Sequence, residues 1–533
     1  MRFILSVLSC GHFVLGVMLA SLATVVDTAA ALPADAPTLV HIQDGTIQGH
    51  AANGTIAFKG IPFAEPPVGA LRWRPPQPVT PWVGTLNASE PQFDCSQPPL
   101  AMGSVSKGIS EDCLYLNLWR PVSASDRPLP VMVWIYGGGL TRGAASLYPG
   151  DDLARQGMVY VSFNYRLGRL GFFAHPALAR ETRDGPLGNY GYMDQIAALK
   201  WVQRNIGAFG GDPNNVTIAG ESAGGGSVLV MLTSPMARGL FNRAILQSPG
   251  IPTPRAGALP MSSLDAAERT AVDCARSLGI KDDDNEALAK LRALPTETLY
   301  KGTLDYIPAL FTGAEIPGLS FCIVDGRLVV ESPEMAIRRG HQAMVPVIVG
   351  ANDADIAASA ASSKDELFAL FGSLTWQARA LYDPRGDASL ETLIQAVISD
   401  RTMVEPSRNL AELMAKAGQP AFFYRFSYVA EAQRPKLQGA THASEIMYAF
   451  DDVSLILRDK ASVGDVELAK TMSGYWAAFA RSGDPNGDGR PEWPRYDPTT
   501  REVLNFTNTG VKFGPDPLKA RLDLWRSVWS QGP

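Results

Sequence analysis

Val216-Thr217-Ile218-Ala219 is a short apolar, β-branched run that opens directly into Gly220-Glu221-Ser222-Ala223-Gly224 and then a helix-compatible stretch, Gly225 to Leu232. A strand that becomes a helix within one tight turn belongs to a parallel sheet, because the helix must cross back over the sheet before the next strand begins. The rest of the chain repeats this alternation. Val131–Tyr136 and Val159–Asn164 are continuous apolar runs of the kind buried on both faces of a sheet. Arg243–Gln247, Val345–Val349 and Phe422–Tyr428 are further candidate strands. Ile196, Leu199, Val202, Ile206 and Phe209 recur at steps of three and four, which predicts an amphipathic helix between Met193 and Phe209. The fold class is therefore α/β, with a large, mostly parallel central sheet flanked by helices. Residues 251–340 are Pro-punctuated and partly helical, and read as a helical cap or side wall. No repeat or long linker divides the chain, which predicts one domain over 32–533.

At 46% hydrophobic and 19% charged, the 533 residues carry enough apolar material for a large core, which excludes disorder as the main state. The net charge of −6 lacks the basic excess that drives nonspecific phosphate binding, so nucleic acid is not an expected partner. Met1–Ala31 reads as a signal peptide: Arg2, an uncharged and mostly apolar run from Phe3 to Val26, then Ala29-Ala30-Ala31 as a cleavage site. Cleavage near Ala31 predicts a secreted or periplasmic product with no stable membrane span. Cys95, Cys113, Cys274 and Cys322 would then meet an oxidising environment, where four cysteines allow three pairings.

The Gly-flanked turn raises Ser222 at the carboxyl end of its strand, beside a helix N-terminus that favours developing negative charge. Upstream, Tyr136-Gly137-Gly138-Gly139-Leu140 follows the strand Val131–Ile135 and lets backbone N–H groups approach a ligand closely. With the N–H of Ala223, such a run suits the oxyanion of a tetrahedral intermediate. A serine on this kind of turn is followed in the chain by an acid and then a histidine. Only His341 and His442 follow Ser222. His341 sits in a polar helix end, whereas His442 lies in a loop after the strand Phe422–Tyr428, where a base belongs. The acid should follow a strand between Ser222 and His442, so Asp353 and Asp355, just after Val345–Val349, are both candidates. A histidine of ordinary pKa, about 6.5, predicts a rate that falls below about that pH.

Taken together these residues resemble the type-B carboxylesterase family, the cholinesterase-like branch of the α/β-hydrolase fold. The likeness runs through Phe58-Lys59-Gly60-Ile61-Pro62-Phe63-Ala64, Glu111-Asp112-Cys113-Leu114-Tyr115-Leu116-Asn117, Phe163-Asn164-Tyr165-Arg166 and Gly210-Gly211-Asp212-Pro213. It continues through the elbow and Gly483-Asp484-Pro485-Asn486-Gly487. It implies a serine carboxylesterase acting on small-molecule esters, without cofactor or metal. Ser222 would be the nucleophile, His442 the base, and Gly138, Gly139 and Ala223 the oxyanion donors. Asp355 would occupy the acid position, where the family more often carries Glu, with Ile356 in place of a usual Gly. The resemblance also implies a Cys95–Cys113 disulfide and supporting roles for Glu221, Ser248 and Glu445. Leu140 stands where an aromatic is usual and Ala443 where Gly is usual.

Other readings are weaker. Non-catalytic adhesion proteins of this fold lose the serine or its partners, which this chain retains. Cholinesterases place a Trp inside the first disulfide loop to hold quaternary ammonium, and no aromatic lies between Cys95 and Cys113. Asp484-Pro485-Asn486-Gly487-Asp488-Gly489 begins like a calcium loop, but its twelfth position is Arg495. A specialised esterase for a natural product, lipid or polyester remains an alternative substrate reading.

Overall fold

The computed structural model describes residues 37–100, 105–123, 125–182, 185–250, 261–301, 318–356, 358–487 and 489–531. The expected signal peptide, Met1–Ala31, lies outside them. Among the described residues the main sheet has eleven strands. In chain order these are β1 (His50–Ala52), β2 (Thr55–Pro62), β3 (Tyr115–Pro121), β4 (Leu129–Ile135), β5 (Val159–Phe163) and β6 (Gly211–Glu221). They continue with β7 (Arg243–Gln247), β8 (Val347–Asn352), β9 (Ala421–Phe426), β10 (Glu502–Thr507) and β11 (Gly510–Pro515). Across the sheet they run β11-β10-β9-β8-β7-β6-β4-β5-β3-β2-β1. The stretch from β10 to β5 is parallel throughout, and the antiparallel pairs are confined to the two sides. This is the α/β architecture expected from the sequence.

The central strands are apolar on both faces because helices cover both: every residue of β5, β8 and β9 is buried. Helix α1 (Tyr190–Asn205) begins three residues before the periodic run Met193–Phe209, and the last turn of that run, Ile206–Phe209, is a 3₁₀ turn. Gly210 then ends it at φ 82°. β8 begins at Val347 rather than Val345, because Pro346 has no N–H to give to the ladder. Helix α2 (Ala223–Thr233) follows β6 directly. Within 251–340 the described parts are short helices, among them Leu264–Ser277 and Asn285–Ala293, with a small sheet of Ser262–Ser263 beside Ile323–Val324. None of these joins the main sheet.

Register places the functional loops at one level. Glu221 pairs with Gln247, Gln247 with Gly350, and Asn352 with Phe426, so β6, β7, β8 and β9 end side by side. Ser222, Ser248 and Asp353 each follow one of these ends. The turn from β6 into α2 lies hard against β4: a Cβ on Gly224 would lie 2.0 Å from the carbonyl oxygen of Ile135. Gly224→Ala is therefore expected to destabilise the fold by about 2 kcal/mol or more, since backbone must move to admit one methyl group. A thermal melt checks this, and an unchanged midpoint would show that the contact yields freely.

Candidate active site

Ser222 has φ 57° and ψ −125°, a conformation sparsely populated by residues with a side chain. The surroundings hold it there. Its N–H donates to the Gln247 carbonyl at 2.9 Å, and its own carbonyl accepts from Gly226 N–H at 2.9 Å and Gly250 N–H at 3.1 Å. Helix α2 starts at the next residue, so the Ala223 N–H lies in the first turn, which has no intrahelical partners. The glycine run passes beside this turn: a Cβ on Gly137 would lie 3.0 Å from the Ser222 Cβ. The N–H groups of Gly138, Gly139 and Ala223 meet no acceptor among the described residues. Gly138 and Gly139 are half-buried, open on one side.

A second loop braces the glycine run. Cys95 and Cys113 form a disulfide, and Gln97 inside its loop donates to the Gly143 carbonyl and accepts from the Gly143 N–H, each at 2.8 Å. The Tyr165 hydroxyl donates to the Tyr136 carbonyl at 2.8 Å. Cys274 and Cys322 are buried free thiols.

His442 lies between the serine and an acid. Its Nε2 is 2.8 Å from Ser222 Oγ, and its Nδ1 is 2.5 Å from Asp355 Oδ1. Asp355 is buried and fully bonded. Its Oδ2 accepts from the Ser248 hydroxyl at 2.6 Å and Asn352 N–H at 3.1 Å, and its Oδ1 also accepts from Ile356 N–H at 3.0 Å. Asp353 turns the other way and accepts from Ala440 N–H at 2.8 Å. Ala354 pairs with Thr441 in an isolated parallel bridge, and the Asn352 side chain donates to the Thr441 carbonyl at 2.7 Å. The histidine loop is thus zipped along the acid loop. His341 is on the surface, 2.7 Å from Glu331.

Two more carboxyl groups line the floor. Glu221 Oε1 is 3.2 Å from His442 Nε2. Glu445 accepts from the Asn352 side chain at 2.7 Å and the Gln247 side chain at 3.1 Å, and Gln247 in turn accepts from the Trp476 indole at 2.9 Å. Burial pushes the Glu221 carboxyl up to about 8; His442 opposes this, while Glu445 and Asp355 add to it. Burial likewise raises Glu445, with the Asn352 and Gln247 bonds opposing and Asp355 adding to it. For His442, burial disfavours the imidazolium, but Glu221, Asp355 and Glu445 outweigh it and raise its pKa above the ordinary value. The charges around this imidazole therefore favour its protonated form.

Gln97, Gln247 and Asn352 escaped the sequence reading. Their signal is a polar residue where a strand end or a short loop is otherwise apolar, and it says nothing about the partner.

Residues 36–525 match the model of the Carboxylesterase family. The chain belongs to that family. This carboxylesterase is 37% identical over 511 residues to "Fumonisin B1 esterase" of Sphingopyxis macrogoltabida, an alignment covering 91% of this chain and 90% of that one. It is 35% identical over 496 residues to "Liver carboxylesterase 1F" of Rattus norvegicus, covering 83% and 84%. The protein is a carboxylic ester hydrolase, and the family acts on small-molecule esters. No helix among the described residues is long and apolar enough to cross a membrane.

The three carboxyls facing the imidazole shift the pH range expected from an isolated histidine. With His442 as the proposed base, the acid limb of kcat/KM should lie above about pH 6.5, because on acidification its neutral form is already lost at a higher pH than in an ordinary histidine. Glu221→Gln removes one of those charges and should move the limb to lower pH. A limb that stays in place in this variant would remove Glu221 from the electrostatics of the base.

Proposed function

We propose that this protein is an exported serine carboxylesterase working through Ser222, His442 and Asp355 and an acyl-enzyme intermediate. The observation that carries the reading is one histidine within hydrogen-bond reach of the hydroxyl on one nitrogen and of the buried carboxylate on the other. As the ester carbonyl arrives, Ser222 Oγ bonds to its carbon while His442 Nε2 takes the hydroxyl proton. The oxyanion forms against the N–H groups of Gly138, Gly139 and Ala223, which meet no acceptor among the described residues. Asp355 holds the Nδ1–H tautomer and stabilises the imidazolium without taking its proton. His442 then protonates the departing alkoxide, and the alcohol leaves. Water repeats the cycle on the acyl-enzyme, restoring the serine and releasing the acid. Glu221, Ser248 and Glu445 support the triad: Ser248 fixes the second oxygen of Asp355, and the two glutamates shape the field at the imidazole.

Export rests on the leader pattern of Met1–Ala31 and agrees with the disulfide, which suits an oxidising compartment. Residues 32–533 then form one hydrolase domain with 251–340 as its side wall. A second reading, favoured by the identity to a fumonisin esterase, makes a natural-product ester the physiological substrate.

Ser222→Ala should lower p-nitrophenyl butyrate hydrolysis at least about 10⁴-fold and leave the thermal midpoint unchanged. Full activity in that variant would remove Ser222 from the mechanism. A panel of p-nitrophenyl esters, butyrylcholine and fumonisin B1 separates the substrate readings. The p-nitrophenyl esters should turn over and the choline ester poorly, for want of an aromatic between Cys95 and Cys113. Hydrolysis of fumonisin B1 with the highest kcat/KM of the panel would favour the natural-product reading, and no hydrolysis would count against it.

A further inference from the structure

The four donors on Asp355 hold its carboxylate once the loop is in place, but they do not say what places the loop. After Ala354 the acid loop has no strand partner among the described residues. Its support comes from a helix, α3 (Leu390–Ser399), whose residues Gln395 and Ser399 lie one turn apart. Gln395 Nε2 donates to the Asp355 backbone carbonyl at 2.7 Å and to Ser399 Oγ at 3.1 Å. Ser399 Oγ donates to the Ile356 carbonyl at 3.4 Å. The Ile356 side chain packs on the apolar cluster of Ala351, Met403, Val404 and Leu522.

The helix is itself pinned. Immediately after Ser399 the chain makes a π-helical turn, Asp400–Val404, a rare geometry concentrated at functional sites. Buried Asp400 accepts there from the Tyr382 hydroxyl at 2.6 Å and from Arg521 Nε at 2.7 Å. Arg521 belongs to the C-terminal helix (Lys519–Ser530) and also donates to the Ala396 carbonyl at 3.2 Å. Gln395 is therefore carried on a helix anchored at its C-terminal end.

Aspartate has a single methylene between backbone and carboxyl, so the 2.5 Å contact to His442 follows wherever the Asp355 backbone goes. A displacement of about 1 Å is enough to cost on the order of a hundredfold in rate. We propose that Gln395 is a positioning residue for the triad acid, holding the Asp355 carbonyl so that the carboxylate meets the imidazole. This rests on the reading of Asp355 as the acid.

The test is a double-mutant cycle on the full-length protein, assayed with p-nitrophenyl butyrate, active sites being counted by a fluorophosphonate that labels Ser222. Gln395→Met keeps the side-chain length and loses the donor. It should lower kcat about tenfold with KM within about twofold, and change kcat less than about twofold in the Asp355→Ala background, where there is no acid left to place. Ser399→Ala should show the same dependence on background, and it carries the comparison if Gln395→Met yields no labelled enzyme. An unchanged kcat overturns the proposal, as does an equal fall in both backgrounds, which would mark a general loosening. If Asp355→Ala alone keeps full activity, the acid assignment fails and the proposal with it. If Asp355→Ala is crippled while Gln395→Met is not, the acid assignment stands and Gln395 alone loses its role.

Discussion

Asp355 is a carboxyl group with almost no access to water, and such a group is tolerated only where donors replace the lost hydration. Its donors come from separate places in the chain: Ser248 after β7, Asn352 at the end of β8, the adjacent Ile356 amide, and His442 from a loop beyond β9. They converge only while neighbouring parallel strands end at the same level. A slip of one residue between β7 and β8 would turn every side chain to the opposite face and leave the carboxyl without its hydroxyl donor. Because these strands are apolar on both faces, hydrophobicity does not by itself choose between the two alignments, and the bonds to Asp355 favour the observed one.

The acid is not alone on the floor. Glu221 and Glu445 bring two further carboxyls toward the imidazole; burial raises both above the usual carboxylate range, and His442 draws Glu221 back toward its charged form. A carboxylate beside the ring favours an imidazolium, the state that the proposed proton transfer from Ser222 would form. It also raises the imidazole above the ordinary histidine pKa, so under the proposed mechanism the pH dependence belongs to the cluster and not to one residue. Asn352 links the two halves of this arrangement, since its amide N–H serves Asp355 while its side chain serves Glu445 and the Thr441 carbonyl.

Several parts of this site were legible before any coordinates. The elbow carries its meaning in local context, because a strand, a Gly-flanked serine and a helix within a short span leave few conformations. The triglycine run after β4 is equally local. His442 stood out because only two histidines follow the serine. The residues alone left Asp353 and Asp355 both open, and only the family resemblance pointed to Asp355. The two differ by one peptide step on each side of Ala354, and the bridge from Ala354 to Thr441 decides that one carboxyl faces the Ala440 amide and the other the imidazole. The start of β8 was misjudged by two residues because hydrophobicity continues through Val345, whereas ladder hydrogen bonds stop at Pro346.

What the sequence determined by itself is what short-range physics dictates: which segments are apolar on both faces, where glycine permits a turn that a side chain would block, and which hydroxyl stands on it. The tertiary structure alone decided which distant groups share a hydrogen bond. Gln97 reaches Gly143, Gln395 the Asp355 carbonyl, and Glu221 the His442 ring, across separations from 40 to 221 residues. A side-chain amide or carboxyl in a sequence has no direction. It acquires one only when the sheet register and the helices packed on it fix where its backbone points.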